Sequence, residues 1–597
     1  MSLNRRETLA LLGVGAAAAA PALAEAAAPP EVQFLHGVAT GDPLSDRAIF
    51  WTRITPARDA PHIPVRLEIS EDDSFARIYM SSGASAEPEA DYTVKIDAVG
   101  LKPGHDYWYR FTCLGATSPV GRTRSLPVGH VEKLALAFVT CSLYPNGYFN
   151  AYDHIAKSET LDAVVELGDY IYEYGAGPTD YGMENGKKLG RIPEPPHDLV
   201  TLADYRTRYA QYRRDPDLQA AHARAPWICV WDDHEIANDT WKGGAENHHE
   251  KTEGAFEDRK RAAMRAYFEW MPIREPKLGR AAETIWRSFD FGDLASLTML
   301  ETRLTARSYQ LEYSRTGDIP FIVYDASNPM AKQPVRDPSR VAEIRAQAGP
   351  DGRLPAPYLL GPDIEAIQAY ISDPSRQMMG SIQESWLEET LAASVRSGKP
   401  WQLIGNEVIM ARAQMPDVET VFGVEMVQHA LAAMPEDRRI MATKMVQMAS
   451  FGGPFDLDGW DGYPAARARF DDLLGRLPGG NAIVVSGDSH AFWANQLQDA
   501  GGKRDLAVEF GASAITSPSI GEEVGFQLGQ VFMRQNREVA FCDQLAKGYV
   551  RLELTHEAAV GHMIAVSIDA KPYKAERLAS WTLAPTPGPG VGKLRRS

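Results

Sequence analysis

A chain of 597 residues, 44% of them hydrophobic and 24% charged, is too long for one ordinary domain and shows none of the bias of a collagen-like, low-complexity or disulfide-scaffold protein. Its 79 acidic against 62 basic side chains give a formal charge of −17, which repels a polyanion at long range and argues against stable nucleic-acid binding. A small phosphate ester is not excluded, because bound metal ions or a few arginines can reverse the field inside one cleft.

The chain opens with Arg5-Arg6, then Leu9-Ala10-Leu11-Leu12, an alanine-rich stretch and Ala22-Leu23-Ala24, which has the form of a small-residue cleavage site. This pattern predicts a twin-arginine signal over residues 1–30, delivery by the Tat export machinery and a periplasmic or secreted location. A leader for the general secretory route is the alternative. The twin-arginine route carries folded proteins, which suits a protein that takes up metal before export. No later stretch approaches about 18 consecutive apolar residues, so the exported protein is expected to be soluble.

Over residues 31–130, short alternating runs such as Val65-Arg66-Leu67-Glu68-Ile69 and Tyr107-Trp108-Tyr109-Arg110-Phe111 sit between Gly, Pro, Asp and Ser turns. They predict a small all-β, fibronectin III-like sandwich with no chemistry of its own. After Arg124-Ser125-Leu126-Pro127 the texture changes to short apolar runs separated by longer helical patterns: Leu134–Val139, Ala163–Leu167, Trp227–Trp231, Leu294–Leu300, Trp401–Ile404 and Ala482–Val485. Strands buried on both faces by helices read this way, so residues 131–575 are expected to form one α/β catalytic domain, followed by a tail over 576–597. The four cysteines, Cys113, Cys141, Cys229 and Cys542, form no CxxC pair; one disulfide is possible, and small buried hydrophobes are the plain reading.

Ligands of α/β folds bind beyond the carboxyl ends of the strands. Those ends read Thr140-Cys141-Ser142, Gly168-Asp169-Tyr170-Ile171-Tyr172, Asp232-Asp233-His234-Glu235, Glu301-Thr302-Arg303, Gly405-Asn406-Glu407 and Gly487-Asp488-Ser489-His490. Taken singly, each is ordinary turn or helix-cap chemistry. Together they bring thiolate, carboxylate, phenolate, amide and imidazole groups to one rim.

The ordered set Gly168-Asp-x-x-Tyr172, Trp231-Asp-Asp-His-Glu235 and Gly487-Asp-Ser-His490 resembles the signature of the PhoD-type alkaline phosphatases, relatives of the purple acid phosphatases and calcineurin-like metallophosphoesterases. Gly147–Tyr152, Met271–Arg274, Leu403–Asn406 and Trp460–Pro464 support it, and the resemblance spans roughly residues 32–575. It implies a metallophosphoesterase-like β-sheet sandwich flanked by helices. It further implies Fe3+ held by Cys141, Asp169, Tyr172 and His490, and Ca2+ held by bridging Asp169 with Asp233, Asn406 and Asp488. A second calcium belongs to the family's site, with Asn238 and Asp239 as the next candidates for it. The donor types agree with this division: thiolate, phenolate and imidazole suit iron, whereas carboxylate and amide oxygens are the hard ligands calcium prefers. Where a related dinuclear phosphatase has Gly-His-x-His, this chain has Asp488, which favours calcium over zinc.

The activity so implied is hydrolysis of small phosphate mono- or diesters by a metal-activated hydroxide. His234 would protonate the leaving oxygen or orient the phosphate, unless it is a structural histidine, and Arg303 would clamp a phosphate oxygen bidentately. Glu301 stands where the family pattern has Asp, which unsettles the support around that arginine. A cysteine-nucleophile phosphatase is excluded because position 147, six residues after Cys141, is Gly rather than Arg; no Walker motif occurs. A phospholipase D-like phosphodiesterase acting on lipid headgroups and a non-catalytic metal-dependent binding protein are the competing readings. His248-His249 read as an exposed loop, the methionines of 433–448 as a helix face or lid, and Tyr205, Tyr209 and Tyr212 as packing residues at helical spacing.

Overall fold

The computed structural model describes residues 31–597 apart from 314, 316, 329–331 and 351. The expected export signal, residues 1–30, lies outside the described residues. Among the described residues, no helix is long and apolar enough to cross a membrane.

The N-terminal domain is all-β. Strands Ile63–Ser70, Ile78–Ala86, Asp106–Cys113 and Gly121–Arg124 form one sheet, facing strands Val38–Gly41, Arg47–Arg53 and Thr93–Val99 across a core that includes Phe50, Leu67, Ile96, Tyr109 and Phe111. The second of these sheets does not stop at the domain. Gly41 pairs in parallel with Trp227, which makes the three strands the outer part of a ten-stranded sheet. Only glycine allows that join, since a Cβ at position 41 meets the Pro272 carbonyl oxygen at 2.1 Å. Asp42 completes the junction: its buried carboxylate takes 2.7 Å bonds from the Arg274 backbone N–H and from Arg287 Nη2. Met271–Arg274 thus serves domain docking rather than chemistry.

The larger domain stacks two sheets. The ten-stranded sheet contributes Leu134–Val139, Ala163–Glu166, Trp227–Cys229 and Gly548–Leu554; a seven-stranded sheet contributes Ala295–Met299, Trp401–Asn406, Asn481–Ser486 and Asp505–Gly511. Side chains alternate faces along a strand, so Leu403, Ile483 and Val485 point into the core between the sheets, whereas Ile404 and Val484 point outward. Helices cover both outer faces: Leu202–Arg213, Pro216–Arg224 and Phe256–Trp270 on one, Gly380–Arg396 and Pro464–Arg476 on the other. This is the helix-flanked β-sandwich implied by the resemblance. Thr201 caps Leu202–Arg213 through a capping box with Asp204, and the helix buries Tyr205, Tyr209 and Tyr212 at i, i+4 and i+7.

Two readings need correction. Strand Ala575–Leu583 crosses the boundary drawn at residue 576, and Arg595–Arg596 pairs back onto it. Between them the chain is tied down by Thr586 N–H to Asn481 Oδ1 at 2.8 Å and Leu594 N–H to Gln496 Oε1 at 2.9 Å. Asn481 opens its strand while Asp488 follows the strand's end, so this segment runs along the side away from the rim. His249 is exposed as expected, but the ring of its neighbour His248 packs against Phe256 with Nδ1 3.1 Å from Glu253. All four cysteines are free and buried.

Candidate metal centre

Strand order explains how remote residues converge. Leu134–Val139, Ala163–Glu166 and Trp227–Cys229 are parallel neighbours in one sheet, and Ala295–Met299, Trp401–Asn406 and Asn481–Ser486 in the other, so the segments leaving them emerge at one edge of the sandwich. The backbone there is unusual. Cys141, Asp169, Asp239, Asp488 and His490 all have left-handed φ, between 53° and 59°. Each such residue costs about 1–3 kcal/mol, and such strain persists only where surrounding bonds impose it. Here Cys141 N–H donates to the Gly168 carbonyl (3.2 Å), Ser142 N–H to that of Asp169 (2.9 Å) and Gly487 N–H to that of Glu407 (2.8 Å), lacing adjacent strand ends together.

Asp169 is the hub. Its Oδ2 accepts from Tyr172 Oη at 3.0 Å and from Cys141 Sγ at 3.4 Å, and Tyr172 Oη lies 3.3 Å from His490 Nε2. Ser517 Oγ donates to Tyr172 Oη at 2.7 Å. His490 Nδ1 donates to the Pro518 carbonyl at 2.7 Å, which leaves Nε2 as the free lone pair facing the cluster. Burial, with Lys547 adding to it, lowers the His490 pKa to about 3, so the ring is held neutral, the form that ligates metals. Burial and then Asp169 push the Cys141 thiol well up. Without a cation the thiolate is therefore disfavoured at this position.

On the other side of Asp169 lie Asp232, Asp233, Asp488 and His234. Asp169, Asp232, Asp233 and Asp488 offer oxygens all within 4.8 Å of one another, as do ligand atoms of Asp169, Asp233 and His234 and of Cys141, Asp169 and His490. Burial raises Asp169 and Asp488 well above the carboxylate range, and their acidic neighbours push the same way. For Asp233, burial is outweighed by Arg303 and His234, which hold it below. Asp232 Oδ2 and Asp233 Oδ1 are buried with no hydrogen-bond partner. Carboxylate oxygens without hydrogen-bond partners, crowded at this spacing beside a thiol and a neutral imidazole, form a donor set that fits bound cations.

Other expected residues take varied places. Asn406 is fully buried; its Oδ1 accepts from Trp460 Nε1 at 3.2 Å and keeps a second lone pair, while Nδ2 donates to the Val408 carbonyl and to Ser486 Oγ. Asp239 shares a hydrogen bond with Glu312, and burial followed by Asp458 and Glu312 raises its pKa well up. Asn238 donates its backbone N–H to Glu173 Oε1 at 2.7 Å, and its side-chain Nδ2 lies 3.5 Å from Glu246 Oε2. His234 Nδ1 bonds Glu173 Oε2 at 2.7 Å, and its ring lies 4.2 Å from that of Tyr172.

Arg303 departs most from expectation. It is fully buried, with Nε on Asp232 and Nη1 on both oxygens of Asp458 at 2.9 and 2.7 Å. Only Nη2 lacks a partner, 3.7 Å from Asp233 and 4.0 Å from Asp488. A two-pronged grip on phosphate is therefore blocked unless one carboxylate lets go. Glu301 supports this turn fully: its two oxygens accept from Trp231 Nε1 (3.0 Å), the backbone N–H groups of Arg303 (2.9 Å), Leu304 (2.6 Å) and Thr305 (3.0 Å), and Thr305 Oγ1 (2.6 Å).

Several supporting residues escaped the sequence reading. Glu235 closes the Trp-Asp-Asp-His-Glu motif and accepts from the N–H groups of Asp169 (3.1 Å), Tyr170 (2.5 Å) and Asp232 (2.8 Å), fixing two ligand loops with one carboxylate. Its place inside the motif was the available signal. Glu173, Asp458 and Ser517 had none, because their partners are 61, 155 and 345 positions away. Tyr181, 3.3 Å from His490 Nδ1, comes from the long segment between strands and is equally silent in sequence.

With this geometry in view, residues 136–563 match the family described as PhoD-like phosphatase, and residues 17–127 match its N-terminal domain. The chain belongs to the PhoD-like phosphatase family. It is 31% identical over 536 residues to alkaline phosphatase D of Bacillus subtilis (strain 168), covering 87% of this chain and 76% of that protein. The solved structure of PhoD superposes with a TM-score of 0.70 at 28% identity, covering 94% of this chain and 92% of the other. Membership makes the protein a phosphoester hydrolase.

Proposed function

We propose that the protein is an exported phosphoesterase acting on small phosphate mono- or diesters, with Fe3+ at Cys141, Asp169, Tyr172 and His490 and Ca2+ at Asp169, Asp233, Asn406 and Asp488. The observation that carries this reading is the meeting of a thiol, a phenol and a neutral imidazole on one carboxylate that also belongs to an all-oxygen cluster. The first set suits a ferric ion and the second a hard cation. Asp239, whose backbone N–H donates to Asp233 Oδ2 at 2.6 Å and whose side chain shares a hydrogen bond with Glu312, is the remaining candidate for a second calcium. When bound, such ions neutralise phosphate charge and make water a nucleophile at ordinary pH.

The protein's own residues do the rest. Glu173 fixes the Nδ1 proton of His234, so Nε2 is the atom that gives a proton to the leaving oxygen or holds a phosphate oxygen. Burial opposes the charged ring, but Asp233, Glu173 and Asp169 together outweigh it and raise the His234 pKa. Arg303 acts as a positioning residue: it holds Asp232 and Asp458 at fixed angles and lends positive charge to the floor. Two segments between strands reach the rim, Tyr181 donating its Oη to the Pro518 carbonyl at 2.9 Å and Gln310 its Nε2 to the Asp239 carbonyl at 2.6 Å.

The reading is tested with protein from the exported fraction and matched chromogenic phosphate monoester and diester substrates, before and after calcium chelation. Calcium-dependent turnover is expected, and the ratio of the two rates assigns the substrate class. No turnover by protein shown to contain both metals would favour the binding-protein alternative. A pair of substitutions separates the two halves. Cys141→Ala is expected to lose iron together with activity, and Asp488→Ala chiefly calcium, each read by elemental analysis; unchanged metal content in either variant removes that residue from its proposed role.

A further inference from the structure

At the opposite end of the sandwich from the metal centre, three side chains from three separate segments meet. His130 lies in the linker leaving the N-terminal domain, Asp293 in the turn between strands Arg287–Phe291 and Ala295–Met299, and His556 in the turn between Gly548–Leu554 and Ala559–Val566. Asp293 Oδ2 is 3.0 Å from His130 Nδ1, and Asp293 Oδ1 is 3.4 Å from His556 Nε2. The two imidazole rings stack with centroids 5.2 Å apart and planes 14° from parallel. One ligand atom from each residue lies within 4.8 Å of those of the other two.

We infer that His130, Asp293 and His556 bind one divalent transition-metal ion of the zinc class, which clasps the interdomain linker to both sheets. Zinc–nitrogen bonds of about 2.0–2.1 Å require neighbouring ligands about 3.3 Å apart in a tetrahedron. The two nitrogen–oxygen separations of 3.0 and 3.4 Å run to different oxygens of Asp293, and all three ligand atoms lie within 4.8 Å of one another, so rotation of the exposed His130 and Asp293 side chains is what brings them to that spacing. Two imidazoles and a carboxylate form a borderline donor set that takes zinc, nickel or copper in preference to calcium or magnesium. His556 Nε2 is itself buried and makes no well-formed hydrogen bond, although Asp293 lies beside it. Solvent reaches His130, whose side chain is 67% exposed, and can supply the remaining ligand.

The backbone beneath is already in place. Gly292 N–H donates to the Pro127 carbonyl at 3.2 Å and Asp293 N–H to that of Gly129 at 2.8 Å, while Val131 N–H donates to Asp293 Oδ1 at 3.0 Å. Gly292 has a φ of 55°, and a Cβ there would meet the Gly129 carbonyl oxygen at 2.3 Å, so the linker can lie this close only over glycine. The triad joins residues 130, 293 and 556, which sequence separates widely. It also lies far from the chemistry: strand Leu134–Val139 runs from beside His130 to beside Cys141, about 20 Å at roughly 3.3 Å per residue. The ion would therefore be structural.

The test compares wild-type holoenzyme with the His130→Ala/His556→Ala double variant, both with their active-site metals in place and freed of excess metal. Each is titrated with zinc by calorimetry, and Tm is followed in parallel. Wild type is expected to bind one equivalent more than the variant, with a Kd at or below about 10 μM, and to gain a zinc-dependent rise in Tm that the variant lacks; turnover should be the same in both. Equal zinc binding by the two proteins, or no extra equivalent in wild type at about 100 μM zinc, overturns the inference. If the double variant folds poorly, the single change His130→Gln at the exposed position gives the same comparison, with a weakening of at least about tenfold expected and an unchanged affinity counting against the site.

Discussion

Replacing Asp169 by asparagine is expected to lower turnover by more than the roughly 10–100-fold that losing a partner which merely supports a metal ligand costs, and to release metal from both halves of the site together. Asp169 alone belongs to all three ligand groupings at the rim, one with Cys141 and His490 and two with the neighbouring carboxylates. Asparagine keeps the shape and one acceptor but removes the negative charge and puts N–H donors where Tyr172 and Cys141 now donate to Oδ2. The left-handed backbone at this position tolerates asparagine as readily as aspartate, so the fold should survive and the change be read as chemistry. Elemental analysis and turnover measured on the same preparation decide the matter. Full metal content with activity within tenfold of wild type would remove Asp169 from the shared-ligand role proposed for it.

Replacing Arg303 by methionine is expected to cost about 3–5 kcal/mol of stability, the usual penalty for leaving buried charges without their partner. The guanidinium is fully buried between Asp232 and Asp458 and within 4.0 Å of Asp233 and Asp488. Methionine of similar length leaves these carboxylates facing one another in a site already crowded with acid, so turnover should fall as well. Arg303→Lys keeps a charge but not the planar fork and should recover only part of the loss. Urea unfolding provides the measurement; a loss below about 1 kcal/mol for the methionine variant would mean that the arginine contributes little to holding the floor. A clamp on substrate phosphate predicts the converse, a variant of near-normal stability with a raised KM.

How much of this was legible beforehand differs from residue to residue. The runs Leu134–Val139 and Trp401–Ile404 announced strands buried on both faces, and the structure gives each a packed sheet on one side and helices on the other. The strand-end motifs put Cys141, Asp169, Asp233, Asp488 and His490 on one rim, because turn chemistry rarely gathers these residue types in one ordered set, and the resemblance those motifs carry implied them as ligands. The Gly41–Trp227 join was not legible, since nothing local distinguishes an edge strand that meets another sheet from one that meets water. Nor was the task of Arg303. A strand-end arginine looks the same in sequence whether it faces a phosphate or two carboxylates, and Asp458, which decides the question, lies 155 positions away.

Sequence by itself therefore determined the alternation of strands and helices, which rests on local periodicity, while the reaction class and most candidate ligands were implied by the resemblance of its short motifs to the PhoD-type phosphatases. Only the tertiary structure decided which side chains touch: Glu235 tying two ligand loops, Ser517 and Pro518 orienting Tyr172 and His490, Glu301 supporting the Arg303 turn, and His130, Asp293 and His556 meeting at the far edge. The physical reason is that such contacts are set by strand order and by the few ångströms separating parallel neighbours. These distances depend on how the whole chain packs and leave no mark on the residues adjacent in sequence.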